Sequence, residues 1–248
     1  TDAGGSPGVV AGAVYGVFKT ESGAKRGKSP LFKMTLDKDG KATTSEAQAL
    51  KLKTDTKYYI SELVNPKGTY LNKKVYTVKT TKDGTSKNKA VRLSTVNKPW
   101  RTRISVHKKE TGTDKDLSGA RFTVYRWNGS KYVMATSVGN NGVITTDSKG
   151  KAATGWLYYT KKNQGKWRLE ETEAPKGHKN NHARKDIQIN KDNAKDSEEA
   201  PLEWTVDNPL TTEYGYISVQ KVVSDADGND VSADYDMTAT FTVYSDRN

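Results

Sequence analysis

Three polar side chains whose types would permit a chemical reaction are predicted to lie inside an apolar core: Lys108, Glu171 and Asn208. Alternate side chains of a β-strand share one face. In the segment ISVHKKE, Lys108 therefore points the same way as Ile104 and Val106. This strand is predicted to carry an amine into the core.

Two other segments end an apolar strand face with a polar residue. In WRLEETEAPKG, Glu171 follows Trp167 and Leu169 at two-residue spacing. In PLEWTVDNP, Asn208 follows Val206 in the same way. A carboxyl group and a carboxamide are therefore predicted to enter the same core as the amine.

Burying the three groups together would permit amide formation. Burying any one of them alone is costly, because it loses its hydration. Desolvation favours the neutral form of an ionisable group, which makes Lys108 a free amine and Glu171 a protonated acid. The amine is then a nucleophile facing the carboxamide of Asn208, and Glu171 can hydrogen-bond the carbonyl and relay protons. Strand parity alone leaves two alternatives open: a buried ion pair with a hydrogen-bonded amide, or a strand end that frays into solvent.

The elements that must position these residues belong to an internal repeat. Four landmarks recur in the same order at nearly constant offset: GAVYGVF (12–18) and GARFTVY (119–125), LDKDGKATT (36–44) and TDSKGKAAT (146–154), the Glu-x-x-x-Pro-Lys-Gly segments beginning at Glu62 and Glu171, and VRLSTVNKP (91–99) and PLEWTVDNP (201–209). A further segment, YGYISVQKVV, echoes RTRISVHKKE. The repeat predicts domains at 1–100 and 101–212, and the opening strands of a third unit at 213–248.

Each unit has the pattern of a small β-domain. Strands of four to eight residues are separated by turn signals such as Asp39-Gly40 and Asn141-Gly142, and no long amphipathic helix is predicted, although TSEAQALKL could form a helical turn. The predicted fold class is all-β, with β-sandwiches in tandem.

Composition excludes several kinds of protein. The formal net charge of +12 is spread over turns and outward strand positions, which favours a solvated surface over a specific nucleic-acid site. The chain has no cysteine, so disulfides and thiolate metal sites are excluded. No window resembles a membrane span. His107, His178 and His182 are predicted to be surface residues rather than metal ligands, and DADGND to be a plain turn rather than a calcium loop.

Several motifs resemble the Cna B-type (SpaA-like) domains of Gram-positive surface adhesins and pilin shaft subunits: ISVHKKETGTDKDLSGARFTVY, TTDSKGKAAT, WRLEETEAPKGH and WTVDNP. The resemblance covers residues 104–210 fully and 9–100 nearly so. It implies a prealbumin-like, immunoglobulin-like β-sandwich and, as in many members, a spontaneous Lys–Asn isopeptide bond. By that resemblance Lys108 is the amine, Asn208 the acceptor and Glu171 the catalytic acid.

Two further sets are incomplete. Glu62 and Asn97 are predicted to face inward in the first unit, Asn97 from the strand that carries Val91 and Leu93, but no lysine precedes Lys19. We expect the reactive strand of that unit to lie upstream. Lys221 is predicted to face inward with its apolar neighbours, and its glutamate and asparagine are expected beyond Asn248.

The resemblance implies an extracellular, cell-wall-anchored stalk or shaft segment that crosslinks itself once and is not an enzyme. Its partners would be neighbouring repeats of the same polypeptide, and no cofactor, metal or nucleic acid is expected. One alternative is an adhesin module that binds a host matrix protein or glycan through the aromatic residues of 126–166, Trp156 and Tyr158 among them. Another is polyanion binding through the net charge, which would weaken steeply with salt.

Overall fold

The fold is almost entirely β, as the sequence predicts. The structure, a computed structural model, describes residues 11–81, 90–195, 201–211, 217–234 and 240–242. The chain divides into two compact units, residues 1–211 and 212–248. Within the first unit we call residues 11–100 the first module and residues 101–211 the second module.

The regular elements are short. Those of the first module are β1 (Val14–Phe18), α1 (Glu21–Arg26), β2 (Phe32–Thr35), α2 (Glu46–Ala49), β3 (Lys57–Val64) and β4 (Tyr76–Lys79). Those of the second module are β5 (Arg101–Thr102), β6 (Ile104–Glu110), β7 (Arg121–Trp127), β8 (Tyr132–Met134), β9 (Val143–Thr145), β10 (Lys151–Ala153), β11 (Leu157–Tyr158), β12 (Lys166–Glu173), β13 (Arg184–Gln188) and β14 (Leu202–Asn208).

The second module has two sheets around one core. One sheet has the order β13-β12-β7-β8, with β9 also paired to β7, and the other has the order β10-β6-β14. Strands β6 and β14 run parallel, so the first long strand of the module lies beside its last strand. Strands β5 and β11 form a separate antiparallel pair.

The core of the second module follows the two-residue period of its strands. Ile104 and Val106 of β6 have no exposed surface, and neither do Phe122 and Val124 of β7. Leu169 of β12 is equally buried. Burial of apolar area of this kind is the main stabilising term in folding.

In the described residues, the first module contains a counterpart of one of these sheets. Its strands have the order β2-β1-β3-β4, in which β1 corresponds to β7 and β3 to β12. Its buried apolar cluster is small and centres on Val17, Phe32 and Tyr58. Among the described residues, no strand of this module corresponds to β6, β10 or β14.

The predicted closing strand of the first module is therefore wrong for the described residues 90–98. These residues form no strand, and Val91 and Leu93 are 47% and 39% exposed rather than inward-facing. In the second module the equivalent strand, β14, pairs with β6. The described part of the first module contains no counterpart of β6 with which residues 90–98 pair.

Two short helices interrupt the strands. Thr20 caps α1 by accepting a hydrogen bond from the Gly23 amide, and Gly27 ends the helix with a φ of 62°. Ser45 and Gln48 form a capping box on α2, within the segment predicted to form a helical turn. Thr20 and Gly27 are residue types typical of helix caps, but α1 is too short to show a periodic apolar pattern in the sequence.

The unit at 212–248 differs from its prediction in the described residues 217–234. These residues contain no strand, and Ile217 and Val219 are 71% and 54% exposed. No described layer covers them. The predicted turn is present: the Asp225 carboxylate accepts hydrogen bonds from the backbone amides of Asp227 and Asn229.

The two modules meet at a close backbone junction. The Trp100 amide donates to the Gly68 carbonyl over 2.8 Å, and the Tyr159 amide donates to the Trp100 carbonyl over the same distance. Gly68 has a φ of +85°, and a Cβ there would overlap the ring of Tyr159. Glycine is therefore required on both conformational and steric grounds.

Truncating a core leucine tests the packing of the second module. We expect Leu169→Ala to lower its free energy of unfolding by about 2–5 kcal/mol, because a fully buried side chain leaves a cavity. Denaturant unfolding followed by tryptophan fluorescence measures this change, since all five tryptophans lie between residues 100 and 204. Leu210→Ala is the matched control, because Leu210 is 57% exposed. Equal losses in the two variants would contradict the described core.

Candidate functional site

The structure brings Lys108, Glu171 and Asn208 together in the core of the second module. All three have no exposed surface. Lys108 Nζ lies 3.3 Å from Glu171 Oε1, and Asn208 Nδ2 donates to Glu171 Oε2 over 3.2 Å. The carboxyl group therefore lies between the amine and the carboxamide.

Three strands from both sheets position this site. Lys108 lies on β6 and Asn208 on β14, which are parallel neighbours in one sheet. Glu171 reaches the site from β12 in the other sheet. In register, Lys108 lies opposite Val206 and Glu171 opposite Phe122, so apolar side chains flank both ionisable groups.

Burial changes the proton affinity of the amine. Desolvation lowers the pKa of Lys108, and the nearby charge of Glu171 opposes this shift only in part. A lowered pKa increases the fraction of the neutral, nucleophilic amine.

Hydrogen bonding in the site is incomplete within the described part of the chain. Lys108 Nζ, Glu171 Oε1 and Asn208 Oδ1 are buried and have no hydrogen-bond partner. The Lys108–Glu171 contact has the distance of an ion pair but not the alignment of a hydrogen bond. Buried polar atoms without partners are rare and costly, and they concentrate at reactive or strained sites.

A second buried polar pair lies at the end of β6. Glu110 is on the same face as Lys108, and its Oε2 lies 3.0 Å from Nε2 of His178 and 3.2 Å from Nζ of Lys115. The hydrogen bond to His178, followed by that to Lys115, lowers the pKa of Glu110. Because Glu110 follows Lys108 by two residues, the strand period predicts that it faces inward. The sequence alone could not identify His178 as its partner.

The expectation that His178 is a surface residue is wrong. Its side chain is only 6% exposed, because the Pro-Lys-Gly turn places its ring against Glu110. The same turn pairs with the residues that follow Asn208, since His178 forms an isolated bridge with Leu210. The turn after Glu171 therefore connects the ends of β12, β6 and β14.

The first module brings together two of its predicted residues. Glu62 is 4% exposed, and both of its carboxylate oxygens accept hydrogen bonds from Asn97 Nδ2, over 3.0 and 2.8 Å. The Asn72 amide donates to Glu62 Oε2 over 2.6 Å. Within the described ranges no lysine forms an ion pair with Glu62. Lys221 is exposed and lies in no strand, so its predicted inward position is not observed.

Neither a metal centre nor a membrane helix is found among the described residues. No group of three or more histidine, aspartate or glutamate side chains is arranged to hold a metal ion. No helix there has the length and apolar character needed to cross a membrane. His107 instead contacts Asp116 at 2.7 Å.

The aromatic residues named for ligand binding contact cations of the protein itself. The Arg101 guanidinium lies 3.9 Å from the centre of the Trp156 ring, and Lys166 Nζ lies 5.1 Å from that of Trp127. Such cation–π contacts stabilise a fold as readily as they bind a ligand. The ligand-binding alternative stays a prediction.

Comparisons with known proteins agree with the architecture. Residues 102–201 match the SpaA family of prealbumin-like fold domains. The Bacillus anthracis TIE protein superposes with a TM-score of 0.58 at 20% identity, over 90% of this chain and 38% of that one. The C-terminal fragment of the pilus adhesin SpaC from Lactobacillus rhamnosus GG gives a TM-score of 0.52 at 14% identity, over 87% of this chain and 95% of that one. No curated protein matches significantly.

These likenesses establish the fold. The present chain spans 38% of the TIE protein, and the identities of both structures are low. The family match covers β6 to β13 of the second module and ends just before β14. The second module therefore has a prealbumin-like fold and is similar, over residues 102–201, to domains of the SpaA family.

Proposed function

We propose that the chain is a stalk or shaft segment of a Gram-positive cell-surface protein, and that its second module is stabilised by an isopeptide bond between Lys108 and Asn208. The observation that carries the proposal is the fully buried carboxyl of Glu171, which lies 3.3 Å from the buried amine of Lys108 and 3.2 Å from the buried carboxamide nitrogen of Asn208. A site of three buried polar groups with unsatisfied atoms is costly as a static arrangement. The same groups are well placed for a reaction.

The reaction requires no outside reagent. The neutral amine of Lys108 attacks the side-chain carbonyl carbon of Asn208, a new C–N bond forms, and the bond from that carbon to Nδ2 breaks. Oε1 of Glu171 accepts a proton from the amine, and Oε2 delivers a proton to the departing nitrogen. Ammonia leaves, and Glu171 ends in its starting protonation state. The step occurs once per molecule, so the module is not an enzyme.

The bond would shield the module from tension. Force that enters before β6 reaches Lys108, crosses to Asn208 and leaves after β14, because these two strands are parallel neighbours. The 99 residues between the two bonded positions, 109–207, would carry no load. A chain without cysteine would thereby gain a crosslink that does not depend on an oxidising environment.

Intact mass under denaturing conditions tests the bond directly. We expect the wild-type chain to be lighter than its calculated mass by one ammonia, and Lys108→Ala and Glu171→Gln to have their full masses. Lys109→Ala is the matched control: its side chain points away from the site toward Asp114, so it should retain the loss. A wild-type chain of full mass would refute the proposal, as would a loss that persists in Lys108→Ala.

Titration of Lys108 gives a second test, in a variant that keeps the amine. In Asn208→Ala the amine cannot react, and burial holds its pKa below its ordinary value of about 10.5. The unfolded state then binds more protons between the lowered pKa and about 10.5, so stability should rise with pH across that window. Wild type has an amide there and should lack this rise.

Tryptophan-detected unfolding at a series of alkaline pH values measures the difference. The double variant Lys108→Met with Asn208→Ala is the control, because it has neither amine nor bond and should also lack the rise. The same pH dependence in the double variant and in Asn208→Ala would show that another group causes it.

Stretching single molecules tests the mechanical role. Lys108→Ala should release about 330–360 Å of contour when the second module unfolds, since 100 positions separate the bonded residues and an extended chain spans roughly 3.3–3.6 Å per residue. Wild type should show no such release at the same force. A wild-type chain that extends by the same length as the variant would contradict the transmission of force through the Lys108–Asn208 bond.

A further inference from the structure

The turn that follows β12 holds the segment by which the chain leaves the second module. The Lys179 amide donates to the Pro209 carbonyl, and the Thr211 amide donates to the Gly177 carbonyl, each over 2.9 Å. We call residues 209–211 the exit segment. Both bonds join backbone groups of the turn to this segment, so whatever fixes the turn also fixes the exit segment.

The first module holds its own last residues with the same backbone pattern. Two hydrogen bonds, of 2.9 and 2.8 Å, join residues 68–70 to residues 98–100. The hydroxyl of Thr69 fixes that turn by donating to the Pro66 carbonyl over 2.8 Å. Because a threonine hydroxyl keeps its proton across the neutral range, this attachment does not depend on pH.

His178 occupies the place of Thr69 in the second module. Each of the two residues forms an isolated bridge with the segment that leaves its module. The His178 side chain is only 6% exposed, and its two ring nitrogens contact different parts of the module. Nδ1 lies 3.0 Å from the Lys176 carbonyl oxygen within the turn, and Nε2 lies 3.0 Å from Oε2 of Glu110 at the end of β6. The ring therefore ties the turn to β6.

These contacts assign two protons to the ring. A carbonyl oxygen only accepts hydrogen bonds, so Nδ1 must donate to Lys176. The hydrogen bonds from His178 and Lys115 lower the pKa of Glu110, so this carboxyl is ionised at neutral pH. An ionised carboxylate also only accepts, so Nε2 must donate as well. His178 is therefore an imidazolium cation in this arrangement, and it forms an ion pair with Glu110.

Loss of one proton breaks one of the two attachments. A neutral imidazole has one N–H group and one acceptor nitrogen. If Nδ1 keeps its proton, the lone pair of Nε2 faces the carboxylate of Glu110. If Nε2 keeps its proton, the lone pair of Nδ1 faces the carbonyl of Lys176. Two buried acceptors that face each other lose a hydrogen bond and gain no water, which is unfavourable.

We propose that the Glu110–His178 pair is a proton-dependent latch that holds the exit segment of the second module. With two protons on the ring, the latch is closed and the turn is fixed to β6. With one proton, the turn loses one of its two anchors, and the backbone bonds to residues 209–211 open more often. The latch does not require the Lys108–Asn208 bond, so it is independent of the proposed function.

The latch is closed over a limited pH range. Imidazole side chains change their charge between about pH 5 and pH 8, so the latch opens as the pH rises through that region. At the acid end, the lowered pKa of Glu110 keeps its carboxylate ionised below the ordinary value of 4.5, and the ion pair is lost as the pH falls through the lowered pKa.

The other charged groups near the ring do not replace this pair. Among the described residues, the segments around the ring also carry Lys115 in the loop after β6, Asp207 on β14, Glu173 on β12, and Lys176 and Lys179 in the turn itself. The Lys115 side chain is 63% exposed. Asp207 accepts a hydrogen bond from Thr111, and Glu173 pairs with Arg121.

Hydrogen exchange followed by NMR tests the latch in the full chain. We expect the protection factor of the Thr211 amide to fall by at least about tenfold between about pH 5.5 and about pH 8, because a charge-assisted hydrogen bond is lost. A protection factor is corrected for the intrinsic pH dependence of exchange. The Trp100 amide has the equivalent place in the first module and should keep its protection over the same range.

Two variants separate the latch from other titrating groups. In His178→Gln a side-chain amide can donate to Glu110 at any pH, so the protection of Thr211 should no longer depend on pH. His107→Gln is the matched control. His107 also contacts a carboxylate, that of Asp116 at 2.7 Å, but at a more exposed site, so this variant should keep the wild-type fall at Thr211.

The ring itself provides a measurement on the wild-type chain. NMR spectra of the ring nitrogens should show both nitrogens of His178 protonated at about pH 5.5. Four results would overturn the proposal: a Thr211 protection factor that does not change with pH, a fall that persists in His178→Gln, an equal fall at Trp100, or a ring that carries one proton at about pH 5.5 while Thr211 stays protected.

Discussion

Strand β6 is the element on which the second module depends. It pairs with β10 and with β14, places Ile104 and Val106 in the core, and carries Lys108 into the site. The described residues of the first module include no strand equivalent to β6. Its other sheet forms, with β1 between β2 and β3, but the segments that should flank the central strand do not become strands. In the second module, strand pairing, core packing and the position of the buried amine therefore depend on the same few residues.

Putting a lysine at the centre of such a strand is costly unless its charge is neutralised. Desolvation lowers the pKa of Lys108, and the carboxyl of Glu171 is the only described ion-pair partner of this amine. A buried ion pair contributes little net stability, because desolvation cancels most of its attraction. Converting the amine and the carboxamide to one amide removes the ionisable amine altogether. The proposed bond thus relieves a cost that the strand pattern itself creates.

The sequence predicted the inward-facing polar residues of the second module better than the closing strand of the first module. Two-residue periodicity was sufficient to place Lys108, Glu171 and Asn208 inward, because each ends a run of apolar residues within one strand. The same periodicity was wrong for Val91 and Leu93, which are exposed and lie in no strand. Periodicity within one segment does not show whether another strand pairs with it.

The environment of His178 was missed for a related reason. Its burial depends on Glu110, which is 68 residues away in the sequence and was not singled out. The local sequence pattern predicts which face of a strand a side chain lies on. Its contacts depend on which distant segments pair with that strand.

Both modules contain a contact between a buried glutamate and an asparagine, but only in the second module does a described lysine lie beside the glutamate. Glu62 and Asn97 are hydrogen-bonded in the first module, although no described lysine forms an ion pair with Glu62. The turn after the glutamate lies beside the residues that follow the asparagine in both modules: Thr69 bridges Pro99 in the first module as His178 bridges Leu210 in the second. In both modules the glutamate and the asparagine are thus brought into contact by one strand and the turn that follows it. In the proposed reaction, a carboxyl and a carboxamide that are already in contact leave only the approach of the amine to be arranged.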